Sequence, residues 1–353
     1  MNMRIPSLRR LGNWIVGTLV GTLLIALTSP LFVRSYLPLQ IDPVRGVWTL
    51  PPQQTYRWRS EGYANTFIGP LGMPGRRTLP SSDPRSIRIA LWGDSQAEGV
   101  CVTDDLKLHA QIERESDGTC AVIPLARSGE DAAVWVTQIP EVERQLGVDA
   151  HLILVVDLPD LLSAPLAPLP PVAGDPSRAS IAASLPAFVI QAARNLLTEA
   201  DQQTPRKLRF TVGPPPRLDE SAEQSEGAAP QQAEGSDDRW REAIDAIRAA
   251  TKLPVVIAYA PHAPLIVGGT AQLTNAAEGD FLAMQAAASA RGLTVIDLSD
   301  PFRDAVTTGI WPRGFHNGYI GSGHLNSDGY QIIARHVAEA IEPLAESAAG
   351  RGN

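Results

Sequence analysis

The sequence predicts an α/β fold, in which a mainly parallel, doubly wound sheet carries helices on both faces and follows a single N-terminal transmembrane helix. Short runs rich in valine, isoleucine and leucine alternate with stretches of helical spacing, a pattern typical of parallel sheets. An uncharged apolar run near the N-terminus is long enough to cross a membrane. In such a sheet, ligands bind at the carboxyl ends of the strands.

The N-terminal segment predicts a membrane anchor. Arg4, Arg9 and Arg10 precede an apolar run without charged side chains over residues 13–33. Cleaved signal peptides usually have a shorter apolar core and small residues before the cut, so we expect an uncleaved signal-anchor. The arginines on its N-terminal side place residues 1–12 in the cytoplasm by the positive-inside bias. The main domain would then be extracytoplasmic, either periplasmic or extracellular.

The charge balance and the spacing of possible ligands exclude several functions. A formal net charge of −8 leaves no excess of basic side chains for a phosphate backbone, so we expect no nucleic-acid partner. No spacing of cysteines and histidines predicts a metal site, and we expect no cofactor.

The two cysteines, Cys101 and Cys120, both lie in the predicted exterior part of the chain. We expect them to form a disulfide, because an oxidising compartment permits one. Two buried free thiols are the alternative, since spacing alone does not show that the geometry of a disulfide is met.

The chain after the anchor is divided by its composition. Residues 34–86 are rich in proline, glycine and aromatic residues without a regular period, which indicates a stalk or an irregularly packed cap. A single α/β domain is predicted over 87–345, followed by a tail over 346–353. Its predicted strands are 87–92, 120–125, 151–157, 254–259 and 293–297. Its predicted helices lie near 105–116, 130–146, 239–251 and 276–291, with a last helix from about residue 328.

Two stretches interrupt this alternation of strands and helices. Residues 164–177 are rich in proline and alanine and are predicted to form a loop. Residues 213–238 contain too few apolar side chains to offset the entropy of ordering. We therefore expect a disordered insertion there, and a helical segment over 179–200 between the two stretches.

Gly93-Asp94-Ser95 directly follows the first predicted strand of the domain. This position places the serine hydroxyl at the carboxyl edge of the sheet, close to backbone N–H groups of the next segment, as a nucleophile requires. The same tripeptide is also common in ordinary turns. The motif alone is therefore a weak indication of catalysis.

His324 precedes the last predicted helix, which Ser327 or Asp328 is expected to cap. Such a cap would fix the loop that carries the imidazole, and a doubly wound sheet can bring this loop to Ser95. A solvent-exposed loop histidine is the alternative. His262, after the fourth strand, would lie at the same edge of the sheet.

Three segments together resemble the SGNH (GDSL-like) hydrolase family, of the kind linked to extracellular polysaccharide acylation. They are IRIALWGDSQAEGV, ARSGEDAA and GHLNSDGYQIIARHVAEAI, and the resemblance covers about residues 87–345. It implies an SGNH or flavodoxin-like sheet with Ser95 as nucleophile and His324 as base. It also implies an oxyanion hole built from the N–H groups of Ser95 and Gly129.

Two features depart from the family pattern. Pro159 stands where the resemblance implies an asparagine amide in the oxyanion hole, and proline offers neither an amide side chain nor an N–H. Gly321 and Ser322 stand where an aspartate would support the histidine. We expect an aspartate introduced at either position to raise activity. The native candidates for a carboxylate from elsewhere are Asp157, Asp160 and Asp300.

The resemblance implies a membrane-anchored serine ester hydrolase or O-acyltransferase. Its substrate would be an acyl ester, in particular an acetyl ester, of an extracellular glycan. The alternative is an SGNH-fold protein with a weakened or lost site that serves in glycan binding or polysaccharide assembly. Reactivity of Ser95 toward a fluorophosphonate distinguishes these two functions.

Overall fold

The computed structural model describes most of the N-terminal apolar helix, the following segment and the α/β domain. The described residues are 8–80, 86–162, 186–190, 192, 236–267, 270–275 and 277–349. The predicted loop over 164–177, most of the predicted helical segment over 179–200 and almost all of the predicted insertion over 213–238 lie outside them.

The N-terminal helix α1 (Leu8–Phe32) is the one helix among the described residues that is long and apolar enough to cross a membrane. Its candidate span, Arg9–Phe32, has 24 residues and a mean hydropathy of 2.0. At about 1.5 Å per residue, 24 residues exceed the roughly 30 Å of a hydrocarbon core. None of the most apolar part of the span is buried within the described chain.

Residues 34–80 form two small antiparallel sheets. One pairs β1 (Gln40–Ile41) with β2 (Trp48–Thr49), and the other pairs β3 (Thr55–Arg57) with β4 (Asn65–Phe67). The sequence did not predict these strands because two or three residues are too few to show an alternating pattern.

Beyond α1 and β1–β4, the described chain includes eight α-helices, seven strands and two short 3-10 helices, Pro70–Gly72 and Asp104–Leu106. The strands are β5 (Ile87–Trp92), β6 (Cys120–Pro124), β7 (Ala150–Val155), β8 (Val255–Tyr259), β9 (Leu265–Val267), β10 (Thr270–Gln272) and β11 (Thr294–Asp297). The helices are α2 (Ser95–Glu98), α3 (Leu108–Glu115), α4 (Ala132–Leu146), α5 (Pro159–Leu162), α6 (Ser236–Ala250), α7 (Glu278–Ala290), α8 (Ser299–Thr307) and α9 (Ser327–Ala349).

Five parallel strands form the central sheet in the order β11-β8-β7-β5-β6. This is the flavodoxin-like doubly wound order, in which the direction of winding reverses beside the first strand of the domain. The predicted parallel sheet is confirmed, and the five predicted strands match the observed ones to within two residues. β9 and β10 form a separate antiparallel pair.

Helices cover both faces of the sheet, as predicted. β5 shows why: Ile87, Ile89 and Leu91 belong to one apolar cluster, whereas Ala90 and Trp92 belong to the other. Successive side chains of a strand point to opposite faces. Helices α3, α8 and α9 pack on the first face, and α4, α6 and α7 on the second.

The sequence analysis did not predict helix α8, a nine-residue helix that contains Pro301. The proline lies in the first turn of the helix, where its missing N–H would have no intrahelical acceptor in any case. Phe302, the next residue, is fully buried and fixes the helix on the sheet.

A buried ion pair joins the segment before the sheet to the loop after β6. Arg45 Nη2 lies 3.1 Å from Glu130 Oε2, and Arg45 Nε donates to Gln138 Oε1 at 2.6 Å. Burial lowers the pKa of Arg45, and the charge of Glu130 opposes that shift. Breaking the pair would leave a buried charge without a partner, which costs several kcal/mol. The contact therefore holds residues 34–80 against the α/β domain as a cap.

The predicted disulfide is not formed: Cys101 and Cys120 are both buried free thiols. Cys101 Sγ faces the carbonyl of Leu325 at 3.9 Å, whereas Cys120 Sγ lies 3.0 Å from Ser116 Oγ. The two thiols thus have different neighbours in the core. Burial raises their pKa to about 12 and about 11 respectively, so little reactive thiolate is present at neutral pH.

We expect both thiols to resist iodoacetamide in the folded protein, with or without reductant, because burial keeps them protonated and inaccessible. In denaturant both should be alkylated at once without reductant, which the mass of the intact chain reports. Alkylation in denaturant that requires prior reduction would instead indicate a disulfide.

Candidate active site

Ser95 lies at the carboxyl edge of the sheet, where the chain turns sharply from β5 into α2. The turn uses Gly93 at φ +148°, and a Cβ there would lie 2.6 Å from the Ala97 Cβ and 2.9 Å from the Leu154 carbonyl oxygen. Asp94 Oδ1 caps the short helix by accepting the Gln96 N–H at 2.8 Å. As the first helical residue, Ser95 has no intrahelical acceptor for its own N–H.

His324 reaches Ser95 directly. The imidazole Nε2 lies 3.1 Å from the Ser95 Oγ, within hydrogen-bond distance. The hydroxyl also lies 3.5 Å from Asp94 Oδ2, a longer contact. The structure therefore brings together the two side chains that the sequence selected, in the arrangement in which a serine hydroxyl gives its proton to an imidazole.

The loop that carries His324 is fixed by Asn326. Its Oδ1 accepts the N–H groups of Asp328 and Gly329, both at 3.0 Å, and so caps α9. Its Nδ2 donates to the Trp311 carbonyl at 2.7 Å. The sequence had suggested Ser327 or Asp328 as the cap. Asparagine is equally suited to this role, because its short side chain returns to the backbone N–H groups.

Gln96, the residue after the nucleophile, ties α2 to the histidine loop. Its Oε1 accepts the Leu325 N–H at 2.9 Å and an N–H of the buried Arg313 at 3.3 Å. Its carbonyl accepts the hydroxyl of Tyr330 at 2.5 Å. Gln96 thus links the helix that begins at Ser95 to the loop that carries His324.

The carboxylate that supports His324 comes from Glu61, in the cap. Glu61 Oε2 lies 2.6 Å from His324 Nδ1, and Glu61 Oε1 accepts the His324 backbone N–H at 2.9 Å. Burial alone raises the pKa of Glu61, but the two hydrogen bonds and the charge of His324 outweigh it, and the net pKa is lowered. The carboxylate is therefore ionised at neutral pH.

This contact corrects the expectation that Asp157, Asp160 or Asp300 supports the histidine. Both ring nitrogens of His324 are engaged, one by Glu61 and one by Ser95. Asp157 Oδ1 instead lies 2.8 Å from His262 Nε2, and Asp300 Oδ1 pairs with Arg303 Nη1 at 2.6 Å on an exposed surface. Asp160 lies in the first turn of α5.

Glycine at position 323 makes room for the Glu61 carboxylate. Gly323 has φ +84°, and a Cβ on it would lie less than 3 Å from the carboxylate. A side chain at Gly321 would lie 2.7 Å from Ile266 Cγ1. An aspartate at 321, which the sequence analysis expects to raise activity, would therefore strain the loop. Glu61 already occupies the position beside the imidazole.

Gly129, a predicted oxyanion donor, and Pro159, which replaces the expected asparagine, both follow strands of the sheet at their carboxyl ends. Gly129 is exposed in the loop after β6, and the Arg127 N–H donates to the Gly93 carbonyl at 3.1 Å, which holds that loop beside the serine turn. Pro159 begins α5 after β7 and offers no N–H. The oxyanion role of Gly129 stays a prediction.

Asp160, in the first turn of α5, is close enough to other carboxylates for their charges to act on it. Burial, together with the charges of Asp94, Asp157 and Asp131, raises the pKa of Asp160 to about 6.

Among the described residues, no group of three or more histidine, cysteine, aspartate and glutamate side chains is placed to hold a metal ion.

No family model matches the chain, and no curated protein matches it. Several solved structures, in contrast, are similar to this chain. A lipase/acylhydrolase from Enterococcus faecalis is 13% identical, with a TM-score of 0.38 over 73% of this chain and 96% of that one. A Clostridium thermocellum family 3 carbohydrate esterase is 11% identical, with a TM-score of 0.39 over 75% and 100%.

A third structure, a two-domain esterase active on acetylated mannans, is 10% identical, with a TM-score of 0.39 over 74% of this chain and 50% of that one. Another is described as a lipolytic protein of the G-D-S-L family. Several of the structures similar to this chain are thus described as acylhydrolases or esterases.

Proposed function

We propose that this protein is a membrane-anchored serine ester hydrolase or O-acyltransferase that acts on acyl esters, in particular acetyl esters of an extracellular glycan. The observation that carries the proposal is the chain of contacts from Glu61 through His324 to Ser95 Oγ, with distances of 2.6 Å and 3.1 Å. A carboxylate, an imidazole and a hydroxyl in this order are the parts of a serine triad.

In the first half of the reaction, Ser95 Oγ bonds to the acyl carbon and its proton passes to His324 Nε2. Glu61 holds the imidazole with its proton on Nδ1 and stabilises the positive charge that the ring acquires. His324 then gives the proton to the departing alkoxide, which leaves an acyl-serine. Attack by water completes hydrolysis, and attack by a second hydroxyl completes transfer.

The tetrahedral intermediate needs donors for its oxyanion. We assign this role to the backbone N–H of Ser95, which no helical carbonyl accepts, and to that of Gly129. Without a donor at Pro159 the hole has one donor fewer than the family pattern implies, which costs about 10²–10³ in turnover. We expect a slow enzyme.

The substrate class and location rest on the sequence. The resemblance to hydrolases of extracellular polysaccharide acylation supports an acetylated glycan, and α1 with its preceding arginines supports a cytoplasmic N-terminus and an extracytoplasmic domain. A second candidate function is glycan binding or polysaccharide assembly without catalysis. Pro159 favours it, because that residue weakens the oxyanion hole.

A fluorophosphonate probe applied to washed membranes that contain the full chain tests the proposal. We expect covalent labelling of the Ser95 peptide and retention of the labelled protein after an alkaline carbonate wash. A serine that no base activates reacts slowly with such a probe. Ser95→Ala is the control for labelling at other residues. An unlabelled but folded wild type would favour the binding function, and release by the wash would contradict the anchor.

A further inference from the structure

The carboxylate of the candidate triad is carried by a short loop between β3 and β4, residues 58–64. The Trp58 N–H donates to the Ala64 carbonyl at 3.0 Å and closes this loop. Asn317 Nδ2 donates to the Gly62 carbonyl at 2.8 Å and ties the loop to the segment before His324. The position of Glu61 therefore depends on how the loop is held.

One side chain, Arg59, holds both ends of the loop. Its Nη1 donates to the carbonyls of Trp58 at 2.7 Å and Ala64 at 2.8 Å, and its Nη2 donates to Asn65 Oδ1 at 2.8 Å. Only the planar guanidinium has five N–H donors in a fixed fork. A lysine ammonium cannot reach these acceptors at the same time, because its three donors share one nitrogen.

The same guanidinium also bonds to the end of the apolar helix α1. Arg59 Nε donates to the Pro30 carbonyl at 3.2 Å, and the hydroxyl of Tyr63 donates to the Leu31 carbonyl. Both carbonyls lie in the last turn of α1, where helices leave carbonyls without intrahelical donors and where cations are favourable. The Tyr63 ring lies over Arg59, with 4.1 Å between Cζ and the ring centroid.

We infer that Arg59 is a positioning residue that joins the end of the membrane-anchor helix to Glu61 and so holds the supporting carboxylate against His324. Glu61 is two residues from both Arg59 and Tyr63, so its backbone lies within about 7 Å of each. The candidate active site is thereby held close to the end of the anchor. The inference rests on the proposed function for its effect on catalysis, but not for its effect on the geometry of His324.

The test uses the full chain in detergent micelles. We expect Arg59→Ala to lower kcat by about 10²-fold, the cost of a catalytic group displaced by about 1 Å, with little change in KM. Arg59→Lys should recover part of the loss. The Arg59→Ala/Glu61→Gln double variant should be no slower than Glu61→Gln alone, because Arg59 acts through Glu61. Arg144→Ala, which breaks an exposed pair with Glu141, is the matched control and should match wild type.

A readout independent of activity is the downfield proton resonance of His324 Nδ1–H, which its hydrogen bond to Glu61 protects from exchange. This resonance should be present in wild type and Arg144→Ala, shifted upfield in Glu61→Gln, whose amide oxygen is a weaker acceptor, and absent in Arg59→Ala and His324→Ala. Its persistence in Arg59→Ala, or a large further loss of kcat in the double variant, would overturn the inference. An inactive wild type whose resonance still depends on Arg59 would refute the proposed function and leave this inference standing.

Discussion

Replacing Ser95 with alanine is expected to reduce the hydrolysis of an activated acetyl ester by about 10⁴–10⁶, and His324→Ala by a similar factor. The double variant should be no slower than either single variant, because the nucleophile and its base act as one unit. The distance of 3.1 Å between Ser95 Oγ and His324 Nε2 is the basis of this expectation. Initial rates at several substrate concentrations give the kcat/KM values to compare.

The matched controls are Ser289→Ala on α7 and His336→Ala on α9, exposed or half-exposed positions in helices away from the serine. Both should retain wild-type rates. If the wild type is active and Ser95→Ala keeps that activity, the serine mechanism is refuted. Additive losses in the double variant would mean that the two residues contribute by separate routes.

Glu61→Gln is expected to lower kcat by about 10⁴, the loss that follows removal of the carboxylate in another serine triad. Glutamine preserves the size of the side chain but not the charge that favours the imidazolium. Glu61→Asp keeps the charge and shortens the reach, so it should fall between wild type and Glu61→Gln. Melting temperatures of the variants, measured beside their rates, separate catalytic loss from unfolding.

Two further variants make this test specific. Asp157→Asn removes a carboxylate that bonds to His262 and should cost far less than Glu61→Gln. Glu339→Gln repeats the chemical change at an exposed position on α9 and should have no effect. A rate for Glu61→Gln close to wild type would show that the imidazole functions without this carboxylate.

The lowered pKa of Glu61 also has a consequence for stability. Its folded-state pKa lies below the ordinary value of 4.5, so its contacts with His324 stabilise the fold fully above about pH 4.5. That contribution is lost as the pH falls through the lower, folded-state pKa. Stability of Glu61→Gln should therefore fall less steeply than that of wild type below this pH.

The sheet and two residues of the site could be predicted from hydrophobic periodicity and capping signals in the sequence. Strands such as Ile87–Trp92 show as apolar runs of the right length, and they alternate with helical periodicity. Ser95 and His324 could be selected because each adjoins a regular element, the serine after β5 and the histidine before α9. These signals lie within one stretch of chain, because hydrophobic periodicity and capping depend on near neighbours.

The identity of the carboxylate beside His324 and the placement of the two cysteines depend on contacts between distant parts of the chain. Glu61 and His324 are 263 residues apart in the chain, and no periodicity links positions so distant. The lack of an aspartate at 321 and 322 indicated that a carboxylate would come from elsewhere, but it did not identify the source. The state of the two thiols likewise depends on how the core packs. The separation of the cysteines along the chain does not determine the direction in which either side chain points.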